Sequence, residues 1–63
     1  MAHWEAYARF TDGTDIRFRK PYTANGNYEA EEEQQYKIEC DLLYKATETG
    51  KEVEFYTVDF VED

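Results

Sequence analysis

The chain predicts a small α+β domain: an antiparallel three-stranded sheet with one helix packed on one face. Three observations carry that prediction. Residues 28–48 form a long unbroken run dominated by Glu, Gln, Lys, Leu and Ala, most of them strong helix formers. Residues 3–11 and 14–20 alternate apolar with polar side chains on either side of Asp12-Gly13. Residues 52–61 are rich in Val, Phe, Tyr and Thr, as strands are. The order is therefore ββαβ, in a single domain of 63 residues.

In the first strand Trp4, Ala6, Ala8 and Phe10 share one face, and Glu5, Tyr7 and Arg9 the other. Asp-Gly between two alternating runs is a strong hairpin signal. The second strand sets Ile16 and Phe18 against Arg17 and Arg19. It ends at Pro21, which has no amide to give the ladder. Residues 22–27 read as a loop with Asn25-Gly26 as its turn.

Asn27 is placed to cap the helix, and Glu29, Glu31, Glu32 and Glu33 suit the positive end of its dipole. Glu33–Lys37 and Asp41–Lys45 are i,i+4 pairs in the favourable order. Tyr36, Cys40, Leu43 and Thr47 recur at helical spacing and read as the core-facing stripe. Leu42, Ala46 and, at its edge, Ile38 widen that stripe. Gly50 stands where a left-handed C-terminal cap belongs. A strand reading, in which Tyr36, Ile38, Cys40, Leu42 and Tyr44 alternate, is outweighed by the helix-forming composition.

The third strand changes phase. Val53 and Phe55 are in one phase, Tyr56, Val58 and Phe60 in the other, and Val61 returns to the first. Either a bulge lies near Phe55–Tyr56, or both faces are covered. Glu62-Asp63 reads as a frayed acidic tail. A right-handed crossover through the helix brings the third strand beside the first, in the order 2-1-3. The expected core is Trp4, Ala6, Ala8, Phe10, Ile16 and Phe18 against Tyr36, Cys40 and Leu43. The expected outer sheet face carries Tyr7, Arg9, Arg17, Arg19 and part of the third strand's apolar set. Both outer strands leave open edges.

Composition narrows the function classes. A chain this short buries only about 60% of its unfolded surface, so a staple or a partner is the usual supplement. One cysteine, Cys40, excludes an intramolecular disulfide. One histidine and no ligand-spaced pair give no reason to expect a metal or cofactor. No run has membrane-span length and no signal-peptide pattern is present, which points to a cytoplasmic protein. The net charge of −8 is uneven, with twelve acids against three lysines after residue 20. Such a field disfavours nucleic acid and membrane surfaces and attracts basic proteins.

Residue by residue, catalysis finds little support. His3 reads as a surface residue near the N-terminus, and Cys40 as a small inert hydrophobe on the core stripe. Asp12 and Asp15 could hold Mg²⁺, but Asp before Gly is also what the turn requires. Arg9, Arg17, Arg19 and Lys20 form the one basic patch, interleaved with aromatic residues as in nucleic-acid-binding sheets. Salt bridges to Glu52, Glu54 or Asp59 are the expected fate of these arginines. On the helix, Glu29, Glu31, Glu32, Glu33 and Asp41, with Glu39 and Glu48, could present carboxylates along a rod to a basic groove. The alternative is a solvated acidic face. Tyr7, Tyr56, Val58 and Phe60 are the sheet's candidates for a partner or for self-association.

The segments Glu31-Glu32-Glu33-Gln34-Gln35-Tyr36, Cys40, Leu42-Leu43, Phe55-Tyr56-Thr57-Val58 and Val61-Glu62-Asp63 together resemble small acidic proteins of phages and mobile elements of Gram-positive gut bacteria. The resemblance covers most of residues 28–63 and carries no catalytic motif. It implies a setting in which inhibitors of host defence occur, anti-CRISPR proteins among them.

The leading expectation is thus a non-enzymatic, acidic protein-binding module that occupies a basic protein surface, such as that of a defence nuclease. A self-associating accessory protein is the first alternative. A DNA-binding or DNA-nicking protein using the arginine patch is the second.

Overall fold

Strand β1 (His3–Phe10) is the centre of the sheet in the computed structural model, which describes residues 2–62. It is flanked by β2 (Asp15–Pro21) and β3 (Val53–Val61), in the order β2-β1-β3, and both pair antiparallel with it. Helix α1 (Tyr28–Thr49) crosses one face. The predicted fold class, strand order and element boundaries are those of the structure, to within a residue or so. Asp63, at the end of the expected acidic tail, lies outside the described residues.

The hairpin is closed by residues 11–14. Phe10 donates its amide to the Thr14 carbonyl (2.8 Å) and Gly13 donates to Phe10 (3.0 Å). Gly13 has φ +90°, a conformation that strains any residue with a Cβ. At the next loop Asn25 and Gly26 both have positive φ, and Asn27 donates back to the Ala24 carbonyl (3.0 Å). That is the hydrogen-bonded turn expected of Asn-Gly. Asn27 caps α1 by accepting from the Ala30 amide (3.1 Å), and Gly50 closes it in the left-handed conformation.

Register fixes the faces. Trp4, Ala6, Ala8 and Phe10 are all buried. Ala6 sits between Phe18 of β2 and Val58 of β3, and Ala8 between Ile16 and Tyr56. Side chains directly opposite one another share a face. Tyr56, Val58 and Phe60 therefore stand on the helix side, opposite Ala8, Ala6 and Trp4, whereas Tyr7 stands on the open side.

The phase change in β3 is a bulge, placed earlier than expected. Arg9 pairs with Phe55 and Phe10 with Val53, which leaves Glu54 as the extra residue. The bulge returns Val53 to the helix side and leaves Phe55 on the open one.

The core-facing stripe of the helix is corrected in part: Ile38, Leu42 and Ala46, expected at its margin, form it, and the expected centre at Tyr36, Cys40, Leu43 and Thr47 does not. Ile38, Leu42 and Ala46 are buried, with Leu42 at 0% exposure. Tyr36 and Leu43 are 67% and 38% exposed, and Cys40 and Thr47 are exposed as well. Both sets recur at helical spacing, so periodicity alone does not choose between them. Packing chooses: Ile38 and Leu42 have no polar atoms to leave unpaired, while a buried Tyr36 would need a partner for its hydroxyl.

Trp4 closes one end of the core. Its ring meets Phe60 and Tyr22 edge-on at 5.6 and 6.1 Å, and its indole N–H donates to Gln34 Oε1 (3.0 Å). The Gln34 amide in turn donates to the Thr23 hydroxyl, fastening the β2–α1 loop to the helix.

The two stripes predict different responses to truncation. Leu42→Ala should cost about 2–5 kcal/mol, a large share of the roughly 3–9 kcal/mol available to a chain of this size. Leu43→Ala should change stability by about 0.5 kcal/mol or less. Urea midpoints of the two variants check this, and equal losses would contradict the observed helix rotation.

Candidate protein-interaction surfaces

The helix turned outward differs from an ordinary solvated face. Tyr36, Cys40 and Leu43 follow one another at i+4 and i+3 spacing on the side away from the sheet, and Tyr44 beside them is exposed too. This stripe is the one the sequence predicts for the core; that it faces outward is what sequence reasoning missed. The signal was present: one helix held more apolar residues at helical spacing than a single sheet face can cover.

The acids predicted as a rod do not act as one set. Glu29 and Glu32 are exposed, and Glu32 lies beside Tyr28, whose phenol its carboxylate holds above the usual range. Glu33 is exposed and pairs with Lys37 (3.0 Å). Glu31 turns inward and accepts from the Tyr22 hydroxyl, which itself accepts from the Gly26 amide (2.8 Å). Asp41 is half-buried between Lys20 (3.7 Å) and Lys45 (3.5 Å). Both ammonium groups lie over the Phe18 ring, at 5.7 and 5.3 Å from its centroid. Glu31 and Asp41 thus hold the loop and β2 to the helix. The outward carboxylates are Glu29, Glu32 and Glu33 in the first turns and Glu48 in the last, while Glu39 is half-buried.

The sheet candidates divide between the two faces. Tyr7 lies on the open face, hydrogen-bonded to Asp15 (3.3 Å), with the Phe55 ring 5.8 Å away. Tyr56, Val58 and Phe60 lie on the helix face, where Val58 packs against the core.

The basic patch is also divided. Arg17 stacks over the Tyr7 ring at 5.2 Å, Arg19 pairs with Glu5 (3.4 Å), and Lys20 leaves the patch for Asp41. Among the described residues none of the arginines makes the expected bridge to Glu52, Glu54 or Asp59, and Arg9 and Arg17 pair with no carboxylate. The partner on β1 is nearer than those on β3, because β2 pairs only with β1. Glu5, Tyr7, Arg17, Arg19, Thr57 and Asp59 line a shallow depression of about 440 Å³ on this face.

Asp12 and Asp15 have separate tasks. Asp12 accepts from the Thr14 amide (3.0 Å) and hydroxyl (2.5 Å) and pairs with Lys51 (3.2 Å). Asp15 accepts from Tyr7. Among the described residues, no three or more His, Cys, Asp or Glu side chains gather where they could hold a metal ion. Nor is any helix among them long and apolar enough to cross a membrane.

Compared with protein families, curated proteins and solved structures, the chain matches none.

The Asp12 turn carries a pH dependence. Hydrogen bonds from Thr14, aided by Lys51, hold the Asp12 carboxyl at about 2, below its usual 3.8. The folded state therefore binds this proton less readily than the unfolded chain. The resulting stabilisation is present above pH 3.8 and is lost as pH falls towards 2. Asp12→Ala should be less stable than the parent at pH 7, and the gap should narrow as pH drops through that window. Urea midpoints at pH 7 and at the acid end measure it.

Proposed function

We propose that the chain is a non-enzymatic protein-binding module whose outward helix face docks on a basic protein surface. One observation carries this reading: the exposed Tyr36–Cys40–Leu43 stripe shares the outward half of α1 with Glu29, Glu32 and Glu33. An apolar centre with a charged rim is the anatomy of a protein interface, and Tyr is a frequent anchor in one. The helix holds seven acids and two lysines, a net −5 of the chain's −8. Those charges steer a basic partner to the stripe, and the stripe holds it there. The partner class that fits is a nucleic-acid-binding protein, whose phosphate-binding groove is basic and has apolar walls. The resemblance to small acidic phage proteins points the same way, towards a host defence nuclease as target.

Cys40 offers the test, since it is exposed in the middle of the stripe. A photo-crosslinker attached there should capture a basic protein from lysate of the cell of origin. The same probe on Thr57→Cys in a Cys40→Ser background samples the open sheet face and should capture much less. With the partner purified, affinity should fall as salt rises. The combined Glu29→Lys, Glu32→Lys and Glu33→Lys variant should lower the on-rate by roughly tenfold or more. An unchanged on-rate, or capture from the sheet position alone, would sink this reading.

A further inference from the structure

The two edges of the sheet are built differently. β2 carries Arg17, Arg19 and Lys20 and ends at Pro21. Cations and proline are devices that keep an edge strand from pairing. β3 has no lysine, arginine or proline in nine residues. It exposes Phe55, Tyr56 and Phe60 at 44%, 42% and 46%. Their pairings with Arg9, Ala8 and Trp4 place Phe55 on the open face and the other two on the helix face. A partner lying on one face of the sheet cannot cover both sides of this strand. A strand added at its edge can. The bulge at Glu54 leaves Phe55–Val61 as the regular length of edge.

Register selects the occupant. If β3 pairs antiparallel with β3 of a second copy about Val58, Tyr56 lies opposite Phe60 of the second copy on the helix face. On the open face Phe55 lies opposite Val61, and Thr57 opposite Asp59. Each apolar side chain in the seven residues meets an apolar one, and the single carboxylate meets a hydroxyl. Other pairings fit less well. β2 paired with its own copy about Phe18 sets Arg17 opposite Arg19, like charge against like. β3 paired with β2 of another copy is a head-to-tail contact, which leaves a free edge at each end unless its rotation closes a ring.

We propose that the β3 edge is a homodimer interface, paired about Val58 into one six-stranded sheet with both helices on the same face. Just beyond the paired segment Glu54 falls in register with Glu62 of the second copy, like charge against like at the two ends and outside the regular ladder, and each copy carries a net charge of −8. The copies therefore repel at long range and associate through apolar contact. Added salt should strengthen the dimer, the opposite of its effect on the helix-borne binding proposed above, so the two readings fail independently.

Light scattering on a sizing column at two protein concentrations is the first measurement. At the higher concentration the mass should be twice the 7.5 kDa of one chain, and the dimer fraction should rise with salt. Phe55→Lys, at an exposed position, should yield monomers with unchanged far-UV circular dichroism. In a Cys40→Ser background, Val58→Cys should form an interchain disulfide under mild oxidation. Directly opposed residues stand about 4.5–5.5 Å apart at Cα, within disulfide reach. Thr57→Cys, offset from its own copy, should crosslink much less. Val58 is half-buried, so the exposed pair Thr57→Cys with Asp59→Cys serves as a second probe and should crosslink twice. A monomer at both concentrations, a dimer that survives Phe55→Lys, or preferential crosslinking of Thr57→Cys over both probes would overturn the proposal.

Discussion

The close seating of α1 on the central strand is the contact on which the rest of this structure depends. Ala6 and Ala8 are small and fully buried, so the helix can bring Ile38 and Leu42 down onto the sheet. Larger residues at those two positions would lift the helix and open voids that a core of this size cannot refill. Bulk is placed at the ends of β1 instead, where Trp4 and Phe10 fill the space beyond the helix contact. Trp4 buries its indole N–H only because Gln34 accepts from it, so a polar residue on the helix completes an apolar corner.

That seating sets what remains exposed. One helix covers one face of three strands, and no other helix or strand among the described residues lies on the other face. The open face consequently keeps Tyr7, Phe55, Arg9, Arg17 and Arg19 at or near solvent. Because Ile38, Leu42 and Ala46 face inward, Tyr36, Cys40 and Leu43 must face outward. The same rotation sends Glu31 and Asp41 towards the loop and β2, where they bind Tyr22 and Lys20, and leaves Glu29, Glu32 and Glu33 free of the fold. Charge is thereby sorted into carboxylates that hold the structure and carboxylates that present it.

Two surfaces with opposite physics result. The outward helix face is acidic around an apolar line, and the binding to a basic partner proposed for it would weaken as salt rises. The β3 edge carries aromatic side chains on both faces between flanking acids, and the self-pairing proposed for it would strengthen as salt rises. Because they occupy different elements, a dimer formed through one can display the other twice. Avidity for a partner with two basic sites would follow from geometry alone.

Much of the fold could be read directly from residue order. Alternation marked the strands, Asp12-Gly13 and Asn25-Gly26 marked the turns, and Asn27 and Gly50 marked the helix ends. These are local effects of backbone sterics and of hydrogen bonds between near neighbours. The rotation of the helix was not legible, because both Tyr36–Cys40–Leu43 and Ile38–Leu42–Ala46 satisfy a helical period. Only contact with Ala6 and Ala8 distinguishes them. The split of the acids between Tyr22, Lys20 and solvent followed from that rotation and was equally hidden. The bulge at Glu54 was foreseen in kind but not in place, since it answers to β1 at Arg9 and Phe10 and not to its own neighbours. The sequence by itself determined the elements and their order, because those depend on chemistry within a few residues. The tertiary structure alone decided which side of each element meets solvent, because that is settled by packing between segments far apart in the chain.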